Sequence, residues 1–159
     1  MKKVAILFFS TSRYEYLIPT LDAFEKLIDF SGLEVYKIFT DDYPKTRDHV
    51  MLDYIKKRYK IDKMVLNKEN LGYSVTWNNA WKMLPEDTDY VWQQEDDLQP
   101  LYPISVLKMI ETFENSPTPL YQLILKRNVC YENNDFVRDI NEGKNGVEIE
   151  VNGQPIVKF

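Results

Sequence analysis

Three consecutive carboxylates, Glu95-Asp96-Asp97, follow directly on the apolar run Tyr90-Val91-Trp92 and two glutamines. Like charges held this close repel and raise one another's pKa, so the trio calls for a cation beside it. Oxygen ligands together with a diphosphate suit Mg²⁺ or Mn²⁺, which as a Lewis acid would neutralise charge on a departing nucleotide. A solvated acidic turn is the plain alternative for so short a motif, and position in the fold separates the two. A second acidic pair, Asp41-Asp42, closes another apolar run. Asp42 could accept a hydrogen bond from a pyrimidine N3 or a ribose hydroxyl, or simply end a strand in a turn. Ser10-Thr11-Ser12-Arg13, after the first apolar run, offers hydroxyls and a guanidinium to ribose or phosphate, or a cap to the next helix.

The elements that must position these groups alternate along the chain. Residues 3 to 9 are continuously apolar after Lys3, as in a strand covered on both faces of a parallel sheet. Tyr14, Leu17, Ile18, Leu21, Phe24 and Ile28 recur at helical spacing, with Pro19 tolerable near the first turns, and this helix ends near Gly32. Leu33 to Phe39 reads as a strand running into Thr40-Asp41-Asp42-Tyr43-Pro44. Thr46 is the expected N-cap of a helix carrying Val50, Met51, Tyr54 and Ile55, with Lys56-Lys57-Arg58 at its C-terminal end. Lys63 to Asn67 is a short strand, and Asn70-Leu71-Gly72 turns the chain. Ser74 is then expected to cap a helix with Val75, Asn78, Ala80, Trp81 and Leu84 inward. After the strand from Asp89 to Gln94, Pro103 is placed to open a helix with Ile104, Leu107, Ile110 and Phe113 on one face, and Leu120 to Lys126 is a further strand.

This order predicts an α/β fold: a mostly parallel sheet with right-handed crossovers and helices on both faces. Ligands in such sheets bind beyond the carboxyl ends of the strands, where all the acidic clusters fall. Residues 129 to 145 are polar and irregular, and Val147 to Val151, Asn152-Gly153 and Gln154 to Phe159 spell a C-terminal β-hairpin at an edge, since Pro155 cannot donate to a ladder. The expectation is one domain over 1–159, an α/β core over 1–128 and a loop plus hairpin over 129–159 that could be a truncated acceptor part.

Composition excludes several classes. At 159 residues with 44% hydrophobic and 28% charged residues, the chain is an ordinary globular one. The single cysteine, Cys130, cannot form an internal disulfide, and no Cys/His cluster has zinc spacing, so a cytoplasmic setting is expected. The run from Val4 to Phe9 is too short for a signal peptide, and nothing approaches the ~20 apolar residues of a membrane span. A net charge of −5 disfavours nucleic acid as a partner.

Taken in order, these residues resemble the glycosyltransferase A superfamily, in particular its family-two-like members. The likeness covers about residues 3 to 128. It lies in a first strand closing on a Ser/Thr-rich loop with arginine, a second strand ending in acid, Asn70-x-Gly72 with Asn78 eight places after Asn70, and then Glu-Asp-Asp, a form of the Asp-x-Asp motif. The resemblance implies a nucleotide-diphospho-sugar-transferase-like fold and a nucleoside-diphosphate sugar donor, with UDP-sugars favoured. It implies Asp97 as the direct metal ligand, Glu95 and Asp96 on the ribose side, Asp42 at the base, and Ser10, Thr11, Arg13, Asn70, Gly72 and Asn78 lining the nucleotide-sugar site. Trp77 departs from the pattern, standing where such transferases usually carry an arginine, which could replace a phosphate or sugar contact by stacking. The family also places its catalytic base beyond the strand that here ends near Lys126. Glu132, Asp135, Asp139 and Glu142 are the carboxylates there, and none is assigned. His49, on the second helix, is read as a surface or packing residue.

The function this points to is metal-dependent transfer of a sugar from a nucleoside diphosphate to a hydroxyl acceptor, with inversion preferred on the resemblance alone. Two other classes remain: a non-catalytic or incomplete domain of the same fold that binds a nucleotide or a protein partner, and a nucleotidyltransferase. The last should carry a glycine-rich phosphate loop after the first strand, and Ser10-Thr11-Ser12-Arg13 has no glycine.

Overall fold

A computed structural model describes residues 1–118, 120, 122 and 123, and the backbone of 147–151 and 154–158. The chain divides into two compact units, Met1–Leu107 and Lys108–Phe159. The first is built on four parallel strands, β1 (Lys3–Ser10), β3 (Glu34–Asp41), β4 (Lys63–Leu66) and β5 (Tyr90–Glu95), in the order β4-β3-β1-β5. The α/β fold expected from the alternating pattern is therefore the one observed. Connections run through α1 (Tyr14–Leu27), α2 (His49–Arg58) and α3 (Tyr73–Trp81).

The apolar run of β1 lies between β3 and β5 and is buried on both faces, which α1 and α3 cover. Phe8 points to one face and meets Phe24 of α1 edge-on at 5.1 Å, and Phe24 in turn meets Trp92 of β5. Leu7 and Phe9 point to the other face and form a cluster with Ile38, Trp77 and Ala80, so α3 covers the side opposite α1. The crossovers from β1 to β3 and β3 to β4 step one way across the sheet, and the return through α3 to β5 steps the other. The strand order thus reverses about β1, and in such sheets a crevice lies beyond the carboxyl ends of the strands at that point.

Several local readings are corrected. Asp48, not Thr46, caps α2: its Oδ1 accepts from the N–H groups of Val50 at 2.8 Å and Met51 at 3.2 Å. Pro44 opens a short 3₁₀ turn (Pro44–Thr46) that moves the helix start along by a few residues. Ser74 does not cap α3, for Gly72 holds the N-cap position and Ser74 lies exposed in the first turn. The inward residues of α3 are Thr76, Trp77 and Ala80, while Val75, Asn78 and Trp81 are exposed, a rotation of the helix set by the large Trp77 ring. Pro103 does not open α4 (Val106–Asn115). Ile104–Ser105 instead forms β6 and pairs in parallel with β2 (Ile28–Asp29), and Leu107 is exposed.

The second unit contains the rest of α4 and a separate antiparallel pair, β7 (Val147–Val151) with β8 (Gln154–Lys158). The hairpin strands pair as expected, with Pro155 opposite Glu150 and, among the described residues, no third strand joined to them. The expected strand over 120–126 falls largely outside the described residues, as do its Lys126, the Asn152-Gly153 turn, Cys130 and the tail carboxylates Glu132, Asp135, Asp139 and Glu142. Among the described residues, no helix is long and apolar enough to cross a membrane.

Trp77 is 6% exposed and stacks on Phe9 at 5.6 Å with 21° between the rings, so it is a core residue and not a platform for a ligand. Its Nε1 is buried without a hydrogen-bond acceptor. Replacing it should therefore separate area from polarity. Trp77→Ala is expected to cost about 3–5 kcal/mol, whereas Trp77→Phe, which removes the orphaned N–H as well as some area, should cost about 1 kcal/mol or less. Urea unfolding of the two variants checks the difference.

Candidate nucleotide-sugar site

The loop after β1 organises the crevice. The alternative in which Ser10-Thr11-Ser12-Arg13 caps α1 fails, since the Arg13 carbonyl starts that helix and no side chain caps it. The side chains reach sideways. Ser12, with φ +58° in the left-handed region, donates from Oγ to Asp41 Oδ1 at 2.9 Å, and its N–H donates to Ser10 Oγ at 3.0 Å. Thr11 reaches the opposite way: its N–H lies 3.1 Å and its hydroxyl 3.4 Å from Asp96 Oδ2. Residues 10–13 therefore join the acid at the end of β3 to the acid beyond β5. Ser10 itself is fully buried, so its hydroxyl serves the loop.

The three acids after β5 are not equivalent. Asp96 is 2% exposed and is held by Thr11 and by an ion pair with the Arg13 guanidinium. Asp97 is 41% exposed at its side chain and accepts from the same guanidinium at 3.0 Å. Glu95, half-buried at the strand end, accepts from the Tyr73 hydroxyl at 2.9 Å. Repulsion among the carboxylates is thus relieved by splaying them onto different partners, with Arg13 as a cation from the chain itself. Gln94, buried one residue earlier, donates to the carbonyls of Glu95 at 3.0 Å and Leu98 at 2.6 Å and so fixes the turn that presents them.

Asp42 sits on the far side of β1, 2% exposed, where its Oδ1 accepts from Asn67 Nδ2 at 2.7 Å and from the Leu71 N–H at 2.9 Å. In this arrangement it anchors the turn before α3. Asn70 is exposed and its Oδ1 accepts from the Gly72 N–H at 3.0 Å. Gly72 has φ +78° and ψ 161°, a region only glycine enters freely, which explains the residue without any steric crowding at its Cα. Asn78 is exposed on α3.

Sequence reading misses four contributors. Arg47 lies against Asp41 at 2.6 Å in a buried ion pair and also donates to the carbonyls of Asp41 and Asn67. Asn67 bridges Asp42 and Thr76, Tyr73 meets Glu95, and Gln94 secures the acidic turn. Asn67 and Gln94 are marked in the sequence only by their places at strand ends and Arg47 and Tyr73 only by lying near helix starts, and each needs its partner in view. His49 is the first residue of α2 and is exposed, in keeping with a surface role.

The parallel α/β unit gathers these polar groups beyond the carboxyl ends of β1 and β5, where open α/β sheets bind their ligands. Its fold is glycosyltransferase-like: the solved structure of S. aureus TarS, a glycosyltransferase, matches 71% of this chain at a TM-score of 0.51 and 22% sequence identity. The chain spans about a fifth of TarS, 19% of its length. No family model and no curated protein matches the sequence.

Two measurements test the geometry. Burial raises the Asp42 carboxyl, but the N–H of Leu71, the amide of Asn67, the hydroxyl of Thr76 and the N–H of Gly72 outweigh it and hold the group below its ordinary value. A depressed folded pKa contributes stability that is present above the unfolded value and is lost as pH falls through the folded one. Asp42→Asn should therefore lower the urea midpoint at pH 7 and flatten its fall below about pH 4. Asp96→Ala removes a buried acceptor and should cost about 1–3 kcal/mol, whereas Asp97→Ala should stay within about 0.5 kcal/mol; chemical denaturation of both variants distinguishes a strut from a surface acid.

Proposed function

We propose that the crevice beyond β1 and β5 binds a nucleoside-diphosphate sugar, UDP-sugars being favoured, together with Mg²⁺ or Mn²⁺, and that the sugar passes to a hydroxyl acceptor. The observation that carries the reading is the set Arg13, Asp96 and Asp97 at the switch point, on a fold that TarS shares. Asp97 is the exposed carboxylate and would be the metal ligand. Among the described residues no three acids, histidines or cysteines converge on one point, so the cation would be held by one or two carboxylates and the diphosphate, an arrangement that suits Mg²⁺.

When bound, the cation would offset the charge that builds on the diphosphate as it leaves. Asp96 positions the loop that carries Arg13, and Arg13 offers a fork of N–H donors that fits phosphate oxygens. Tyr73 orients Glu95 towards the ribose side of the proposed site. In the transfer, the acceptor oxygen bonds to the anomeric carbon, the bond to the diphosphate breaks with its electron pair on the leaving nucleotide, and the acceptor proton goes to a base that is not assigned. A second reading is a donor-binding module of the same fold without turnover of its own.

A thermal-shift series with UDP-, GDP-, CMP- and dTDP-sugars, each with and without Mn²⁺, tests the proposal. One nucleotide class at ~100-fold its Kd should raise Tm by about 5–10 °C only with the metal, and Asp97→Ala should abolish the shift while keeping the unliganded Tm. A metal-dependent shift retained in Asp97→Ala would overturn the metal assignment. Sugar transfer or hydrolysis in the same mixtures marks an enzyme, and saturable binding without either marks the module.

A further inference from the structure

We propose that the outer face of α2 docks on an anionic lipid bilayer, with Lys56, Lys57, Arg58 and Lys60 at the headgroups and Val50 and Tyr54 in the boundary beneath them. Leu52 and Ile55 turn one side of the helix into the core. Val50, Tyr54 and Lys57 follow at spacings of four and three on the opposite side, so they share one outward stripe. Val50 is 79% exposed and Tyr54 48%. From Tyr54 to Lys60 the chain carries four cations and no acid. Lys56, Lys57 and Lys60 are exposed and make no ion pair among the described residues, and Arg58 meets Asp22 only at 3.6 Å. Of the flanking acids, Asp62 accepts from the Lys37 N–H at 2.7 Å, and Asp53, exposed a turn before Lys57, is the one acid on the stripe.

The end of the helix adds a second observation. The Ile61 N–H donates to the Lys56 carbonyl at 3.0 Å, closing α2 in a turn whose left-handed residue, at φ +53°, is Lys60. Glycine fits that place with least strain, so lysine there keeps a charge despite its backbone. The helix dipole explains cations in the last turn, but not Val50 and Tyr54 left in water beside them. A bilayer surface satisfies both: anionic headgroups take the lysines, and the boundary with the acyl chains takes valine and the amphipathic tyrosine ring. The phosphate backbone of a nucleic acid would meet the same charges but offers Val50 no apolar boundary. α2 runs from the carboxyl end of β3 back to the amino end of β4, so the cationic end lies away from the crevice and the proposal stands apart from the functional reading.

The test is co-sedimentation of the full chain with phosphatidylcholine vesicles, with and without phosphatidylserine. The wild type should pellet with the anionic vesicles alone and be released at about 1 M salt, where charges are screened within about 3 Å. Lys57→Gln and Lys60→Gly should each weaken partitioning roughly fivefold, and Asp53→Asn should strengthen it. Lys60→Gly suits the left-handed backbone, so a retained circular dichroism melt shows that its weaker binding is not unfolding. Val50→Ser combined with Tyr54→Ser should weaken partitioning roughly tenfold with every charge in place. Pelleting no greater with phosphatidylserine than without it, or wild-type partitioning in both lysine variants, overturns the proposal. So does salt-dependent binding to an RNA or DNA duplex that is tighter than to vesicles and unchanged in the Val50/Tyr54 variant, which reassigns the face to nucleic acid. The nucleotide-sugar reading is untouched by any of these results.

Discussion

The buried carboxylate of Asp96 is the contact on which the crevice depends. It reaches from the end of β5 to the N–H and hydroxyl of Thr11 and to the Arg13 guanidinium, and so ties the chain leaving one strand to the chain leaving its neighbour. Nothing in the sheet ladder holds the two chains together beyond the last paired residues, Phe9 and Glu95. A hydrogen-bonded acid at 2% exposure supplies that closure without leaving an unpaired charge in the interior.

The loop 10–13 extends the same logic to the other side of β1. Ser12 takes a left-handed backbone conformation and thereby aims its hydroxyl at Asp41, while Arg47 approaches that acid from α2's side of the chain. Two acids at two strand ends are satisfied by one four-residue segment and one further arginine. Arg13 and Arg47 thus offset Asp96 and Asp41, while Asp42, Glu95 and Asp97 leave the region acidic, as is the chain as a whole with a net charge of −5.

The layered fold is legible in the sequence because β1 is apolar at consecutive positions and α1 repeats its large residues at helical spacing, patterns that only a two-sided parallel sheet and a one-sided helix satisfy together. The placement of Glu95-Asp96-Asp97 and of Asp41-Asp42 at strand ends is legible for the same reason. What each acid does there is not, because it depends on partners distant in sequence: Asp96 on Arg13, Glu95 on Tyr73, Asp42 on Asn67 and Leu71. Helix starts fail more simply. Asp48 and Thr46 are both good caps by residue type, and the 3₁₀ turn opened by Pro44 decides between them. The rotation of α3 is decided by Trp77, whose ring fits against Phe9 and Ile38 and carries Asn78 and Trp81 outward.

The strand order has a consequence for how the domain is made. β1 leaves the ribosome first, yet its partner β5 lies so much later that Lys3 and Asp89, bonded in the finished structure, are 86 residues apart. During synthesis the β1–β3–β4 half can pair early, while one edge of β1 waits for β5 and remains an open template for other strands. Closing that long loop sets the pace of folding, as non-local pairing does in general. The crevice therefore has no partial form: its two walls come into being in the same late event that covers the exposed edge.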